Sequence, residues 1–258
     1  MGKSTLTREM RREQNQLAEL ATAEMLTIFG SLNFKNIDVS APGFIEASVS
    51  VAERYHNEAT YLGADMYLSM RSQAGVAGRF DVVSPGLDSV QLRKDLVYLA
   101  PISAKKLMSQ GQRIPDTART VFTLTSGRVT KTVLDGSRQT IEASTVADSQ
   151  AVAYARQTSA GACDFCVLMA ENTYKHAEDA LYSSGTRKRA KKPQAAGSKY
   201  HDHCRCTVVT LFNNEMPQRW HDKQEFREAW FDATNQGIDP HEFIEKTGKG
   251  KAYLDGFN

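Results

Sequence analysis

The chain has 258 residues, 24% of them charged, with a formal net charge of +2; it is long enough for a core that needs no staple, and its overall charge does not make it a general nucleic-acid binder. Four cysteines are too few for a disulfide scaffold at this size and suit a reducing compartment. No stretch approaches the roughly 18 uninterrupted apolar residues of a membrane span, and the charged N-terminus around Arg8, Glu9, Arg11, Arg12 and Glu13 lacks a signal peptide's apolar centre, so a soluble protein made in the cytosol, with no membrane partner, is expected.

Apolar residues at Met10, Leu17, Leu20, Ala21, Met25 and Ile28 predict an amphipathic helix from about Thr7 to Phe29, stopped by Gly30. Ser40 and Pro42 are expected to open a second long helix, whose stripe runs Ile45, Val49, Ala52, Tyr55, Ala59, Leu62, Met66 and Met70. Gly75, Gly78, Pro85 and Gly86 mark a connection. Leu87 to Ala100 and Ile102 to Gln110 then read as short helices separated by Pro101. Pro115 starts a helical run to about Asp148, with breaks expected at Gly127 and Gly136.

Near Ala151 the character changes. Residues from Ala151 to Arg156 and from Thr207 to Phe212 predict two strands, with a short helix from Phe165 to Asn172 between them. Helix returns from Lys223 to Thr234, and Asp239-Pro240 starts a last turn through Phe243 and Ile244. The resulting fold class is mostly α with a small α+β module. It divides into an elongated helical region over 1–148, a cysteine/histidine-tied module over 149–214 and a helical tail over 215–258.

All four cysteines fall between Gly161 and Phe212. Cys163-x-x-Cys166 at one end and His201-x-His203-Cys204-x-Cys206 at the other offer thiolates and imidazoles, the ligands zinc prefers, and a tetrahedral site needs about four of them. The 37 residues between Cys166 and Cys204 exceed the spacing of an ordinary zinc ribbon. In a regular strand Cys204 and Cys206 would share a face about 7 Å apart, so both reach one ion only if the chain bends at Arg205; otherwise His201 replaces one. The expected structural zinc therefore takes Cys163, Cys166 and two of His201, Cys204 and Cys206, with His203 the weakest candidate. A redox pair at Cys163 and Cys166, or cysteines simply packed or disulfide-bonded, are the competing readings.

Arg187, Lys188, Arg189, Lys191 and Lys192 form the one dense basic run, within a small-residue and proline loop over 186–199. It reads as a solvated insert or as a finger giving sequence-independent attraction to DNA phosphates. There is no phosphate loop, no Gly-x-Ser-x-Gly elbow and no His-Glu-x-x-His, and Ser183, Ser184 and Ser198 have no neighbouring base that the sequence nominates. His201 and His203 beside Asp202 keep a zinc-dependent nuclease open as an alternative, and the basic run from Arg187 to Lys192 a DNA-binding factor.

The residues Cys163-Asp164-Phe165-Cys166, Tyr174 and Tyr200-His201-Asp202-His203-Cys204-Arg205-Cys206-Thr207 resemble the C-terminal motif region of MuF-like phage minor head proteins, whose actinobacteriophage relatives often carry the name capsid maturation protease. The likeness covers about Val146 to Phe212; Asp202 and His203 stand where a common family form has proline and a small polar residue. It implies a virion structural protein made in the host cytoplasm and built into the head near the portal. Portal protein, major capsid protein and scaffold are the implied partners, with packaged DNA at the basic loop. It also implies that Cys163, Cys166, His201, Cys204 and Cys206 fold together. A serine protease needs a nucleophile, a base and an oxyanion pocket that these residues do not nominate, so the protease name is read as inherited from gene position, and no catalytic residue is assigned.

Overall fold

A computed structural model of the chain describes residues 3–157, 173–174, 200, 202, 204–212 and 216–251. Three long helices dominate it: α1 (Lys3–Phe29), α2 (Ile37–Gln73) and α5 (Ile114–Ala147) pack on one another, while α3 (Ser89–Val97) and α4 (Ser103–Ser109) lie across α2 and α5. Strands β1 (Ala151–Gln157), β2 (Thr173–Tyr174) and β3 (Thr207–Phe212) form an antiparallel sheet in the order β2-β1-β3, with β1 opposite β3 from Ala151↔Phe212 to Gln157↔Thr207. Helices α6 (Met216–Asn235) and α7 (Pro240–Thr247) pack on each other. The mostly helical expectation with a small strand-bearing part holds.

Three of the expected interruptions are absent. Pro101 does not separate two helices: α3 continues into α4 through one wide π-turn, Tyr98–Ile102, which accommodates a residue without an amide donor. Gly127 and Gly136 do not break α5 either; both are buried within the continuous helix, and Gly136 serves close packing. A Cβ at Gly136 would stand 2.4 Å from the carbonyl oxygen of His56 on α2, and one at Gly63 would stand 2.7 Å from the Ser137 Cα. The glycines let α2 and α5 approach backbone to backbone, and tertiary contact overrides propensity there. The second helix also starts earlier than Ser40, at Ile37, which leaves Pro42 within its opening turns.

Two of the shorter helices start on side-chain caps. The Asp88 carboxylate accepts from the Gln91 amide at 2.8 Å at the start of α3, and Asp239 accepts from Glu242 at 3.0 Å before α7, which Gly248 ends at φ 71°.

Apolar packing falls into two main clusters. One joins Met25, Phe44, Val49, Leu92, Leu96, Val121 and Val133, with Phe29 touching the rings of Phe34, Phe44 and Phe122. The other seats the sheet, through Val208, Leu211 and Phe212, on Met66, Tyr67, Met70 and Ile141. The inner face of α5 between them is unusually polar. Several of its threonines are accommodated in the helix by donating back one turn, Thr132 to the Arg128 carbonyl at 2.9 Å and Thr140 to the Gly136 carbonyl at 2.8 Å.

Candidate functional site: an arginine clamp on the cysteine loop

Arg128, Asp135, Arg138 and Glu142 recur on α5 at helical spacing, and this stripe receives the chain as it approaches β3. Arg138 is completely buried. Its Nε donates to the Cys206 carbonyl at 2.9 Å, its Nη2 to the Cys204 carbonyl at 2.6 Å and its Nη1 to Asp135 Oδ1 at 3.2 Å. Lys131 also pairs with Asp135. The rigid guanidinium fork thus holds two alternate carbonyls and one carboxylate at once, which a lysine could not do. Burial opposes the Arg138 charge, but Cys204, Asp135, Tyr200 and Cys206 outweigh it and raise the pKa.

Tyr200 closes the site. Arg138 and Arg156, from β1, place their guanidinium carbons 4.1 and 3.9 Å from its ring centroid, a double cation–π contact in a water-free setting. The Tyr200 hydroxyl donates to Glu142 Oε1 at 3.1 Å. Burial raises the Glu142 pKa to about 7, against the opposing Tyr200 hydrogen bond and the Arg156 and Arg138 charges, with Asp135 adding to the rise. Burial, then Glu142, drives the Tyr200 pKa well above the ordinary phenol range.

Two further arginines fix the loop from outside. Arg128 bridges Asp95 of α3 at 2.6 Å and Asp202 at 3.1 Å, and Arg205 reaches α1, where Nη1 donates to Asn15 Oδ1 at 3.2 Å. Loop, α1, α3, α5 and β1 are therefore tied through charged side chains that the apolar periodicity did not reveal. The repeated spacing of 128, 135, 138 and 142 was the available signal: four charges on one helix face that also carries Val121 and Ile141.

Cys204 and Cys206, two of the five expected zinc ligands, are both buried and stand just before β3 rather than in it, so the strict strand spacing does not govern them. Cysteine sulfur is a donor that zinc accepts, so these two residues are of the type the expected site needs. Cys163, Cys166, His201 and His203 lie outside the described residues, as do the expected helix from Phe165 to Asn172 and the basic loop with Arg187, Lys188, Arg189, Lys191 and Lys192. Among the described residues no group of three or more His, Cys, Asp or Glu side chains is arranged to hold a metal. No helix among them is long and apolar enough to cross a membrane.

The model of the VG15 proteins, a phage-associated family, matches residues 1–233, and the chain is a member of that family. This bears out the viral part of the motif resemblance. No curated protein and no solved structure matches the chain.

Proposed function

We propose that this protein is a minor structural component of a phage head, MuF-like in role, which is built into the assembling shell near the portal and retained in the virion. The observation that carries the reading is the family match across 1–233, which spans the helical frame and the cysteine-bearing part together. A guanidinium clamp that commits several charged groups to holding one loop suits a rigid docking piece, because each buried pairing raises the cost of local opening. Portal, major capsid protein and scaffold are the proposed contacts, and the 186–199 loop the proposed contact to packaged DNA.

A structural zinc is part of the proposal. Cys163 and Cys166 would be tied to two of His201, Cys204 and Cys206, which makes folding of the later part of the chain depend on metal. Elemental analysis of the purified full chain should find about one zinc per molecule. Mass spectrometry of purified particles should detect the protein at a fixed stoichiometry, and Cys163→Ser should lower its incorporation. Particles that assemble normally and lack the protein would remove the head reading. Site-specific cleavage of capsid precursor by the purified chain would replace it with the capsid maturation protease, and metal-dependent cutting of DNA would replace it with the nuclease.

A further inference from the structure

The α3–α4 segment turns Leu92, Leu96, Ala100 and Ala104 into the core. Two residues out of step, Val90, Lys94, Tyr98, Ile102 and Lys106 follow one another at intervals of four and are all exposed, Val90 by 59%, Tyr98 by 60% and Ile102 by 48%. Three large apolar side chains between and beside two lysines make a ridge of the kind that seats in a groove on another helix. Neither Lys94 nor Lys106 has an acidic partner among the described residues, whereas Lys105 beside them pairs with Asp38.

The opposite surface is on α6. Phe226, Ala229 and Trp230 turn inward to meet Ile244 of α7. Glu225, Glu228 and Asp232 face outward around Phe231, which is 43% exposed, with Arg227 against its ring. Three carboxylates against one guanidinium make this face acidic with an aromatic centre. Among the described residues of the α6–α7 unit, Met216 to Lys251, the apolar core is small, with Phe226, Trp230 and Ile244 its large buried side chains, and units below roughly 40 residues seldom bury enough apolar surface alone. Further apolar cover for Phe231 is therefore favourable.

We propose that the α6 face of one copy of this chain docks on the α3–α4 ridge of a second copy. Phe231 packs beside Tyr98 and Ile102 while Glu228 and Asp232 meet Lys94 and Lys106. Because ridge and acidic face are different surfaces, the contact is heterologous and joins copies head to tail. It goes beyond the head-assembly reading and requires neither portal nor metal. The partner is the chain itself because an apolar centre flanked by charges of opposite sign is present on each of these two exposed surfaces.

Sedimentation velocity of the full-length chain at low salt, from micromolar to near-millimolar concentration, tests this. The expected result is reversible self-association that weakens with added salt. Lys94→Glu with Lys106→Glu, or Glu228→Lys with Asp232→Lys, should each weaken it about tenfold or more, since two surface ion pairs become repulsions. A chain carrying all four changes should associate as the unmodified one does, which a variant damaged in folding would not. Circular dichroism of each variant keeps the comparison to folded protein. A chain monomeric throughout the range overturns the proposal, as does association that neither charge reversal weakens or that the fourfold variant fails to restore.

Discussion

Gly136 of α5 meets the His56 carbonyl of α2 so closely that a Cβ there would stand 2.4 Å from the oxygen. The helix–helix contact that carries the frame is thus set by a missing side chain, at a level where the flanking groups are polar: His56 Nδ1 lies 2.9 Å from the Thr132 carbonyl and Gln14 bonds Ser137.

Gly136→Ala should destabilise despite better helix propensity. The propensity gain is about 1 kcal/mol, whereas forcing a methyl against backbone costs about 1–3 kcal/mol and cannot be relieved by a rotamer change. Gly43→Ala is the matched control, since a Cβ there meets nothing within 4 Å, and it should be neutral or stabilising by up to about 1 kcal/mol. Chemical unfolding of the two variants checks the opposite signs.

Arg138→Met should cost about 3–5 kcal/mol, because it strands the Cys204 and Cys206 carbonyls and the Asp135 carboxylate in a water-free site. Arg138→Lys should recover less than half of that loss, as one ammonium cannot reproduce the fork. Hydrogen exchange at residues 204–212 should rise in both variants. Unchanged protection there would show that the clamp is not what holds the loop.

Glu142 makes stability fall as pH rises. Its folded pKa of about 7 lies above the ordinary carboxyl value, so the neutral form is favoured in the fold. The contribution is fully present below the unfolded pKa, near 4.3, and is lost as pH rises through about 7. The linkage is on the order of 3–4 kcal/mol at most. Glu142→Gln keeps a neutral group of similar shape, so its unfolding free energy should vary less between pH 5 and 8 and exceed the parent's at pH 8. A parent curve flat across that interval would contradict the assignment.

Asp148 behaves in the opposite sense. Its carboxylate accepts from Tyr67 and from Arg71 Nε, each at 2.9 Å, and from the Gln150 amide at 2.9 Å, while Arg71 also grips the Ala77 and Gly78 carbonyls. Burial opposes the Asp148 charge, but the Gln150, Arg71 and Tyr67 hydrogen bonds outweigh it and lower the pKa. Its contribution is present above the unfolded pKa, near 3.9, and is lost as pH falls through the lower folded value. Asp148→Asn should therefore remove part of the acid-side loss of stability. Tyr67→Phe should cost about 1 kcal/mol, and a double-mutant cycle between positions 67 and 148 should show that the two are coupled.

The long helices were legible because their stripes persist: Ile45 to Met70 keep one face of α2 apolar over many turns, and α5 repeats Val121, Val129, Val133 and Ile141 within an otherwise polar inner face. The strands were legible as β-branched runs bounded by a change of composition, and β3 runs over Thr207–Phe212 as expected. The breaks expected at Gly127, Gly136 and Pro101 are absent: a local rule cannot know that a helix partner needs the space at Gly136 or that a π-turn can absorb Pro101. Strand β2, only two residues long, gave no periodic signal at all.

From the amino-acid order alone came the helical class, the two main strands, the cysteine-rich region and the viral likeness, because periodicity, turn chemistry and motif spacing are properties of neighbouring residues. The clamp belongs to the fold. Arg138 and Cys204 are 66 positions apart, and nothing local indicates that a guanidinium on α5 will hold that carbonyl at 2.6 Å. Long-range pairing of buried charge depends on which helix faces meet, and only the packed chain, by excluding water from Tyr200, Glu142 and Arg138 together, turns a stripe of ordinary charges into the bolt that holds the loop.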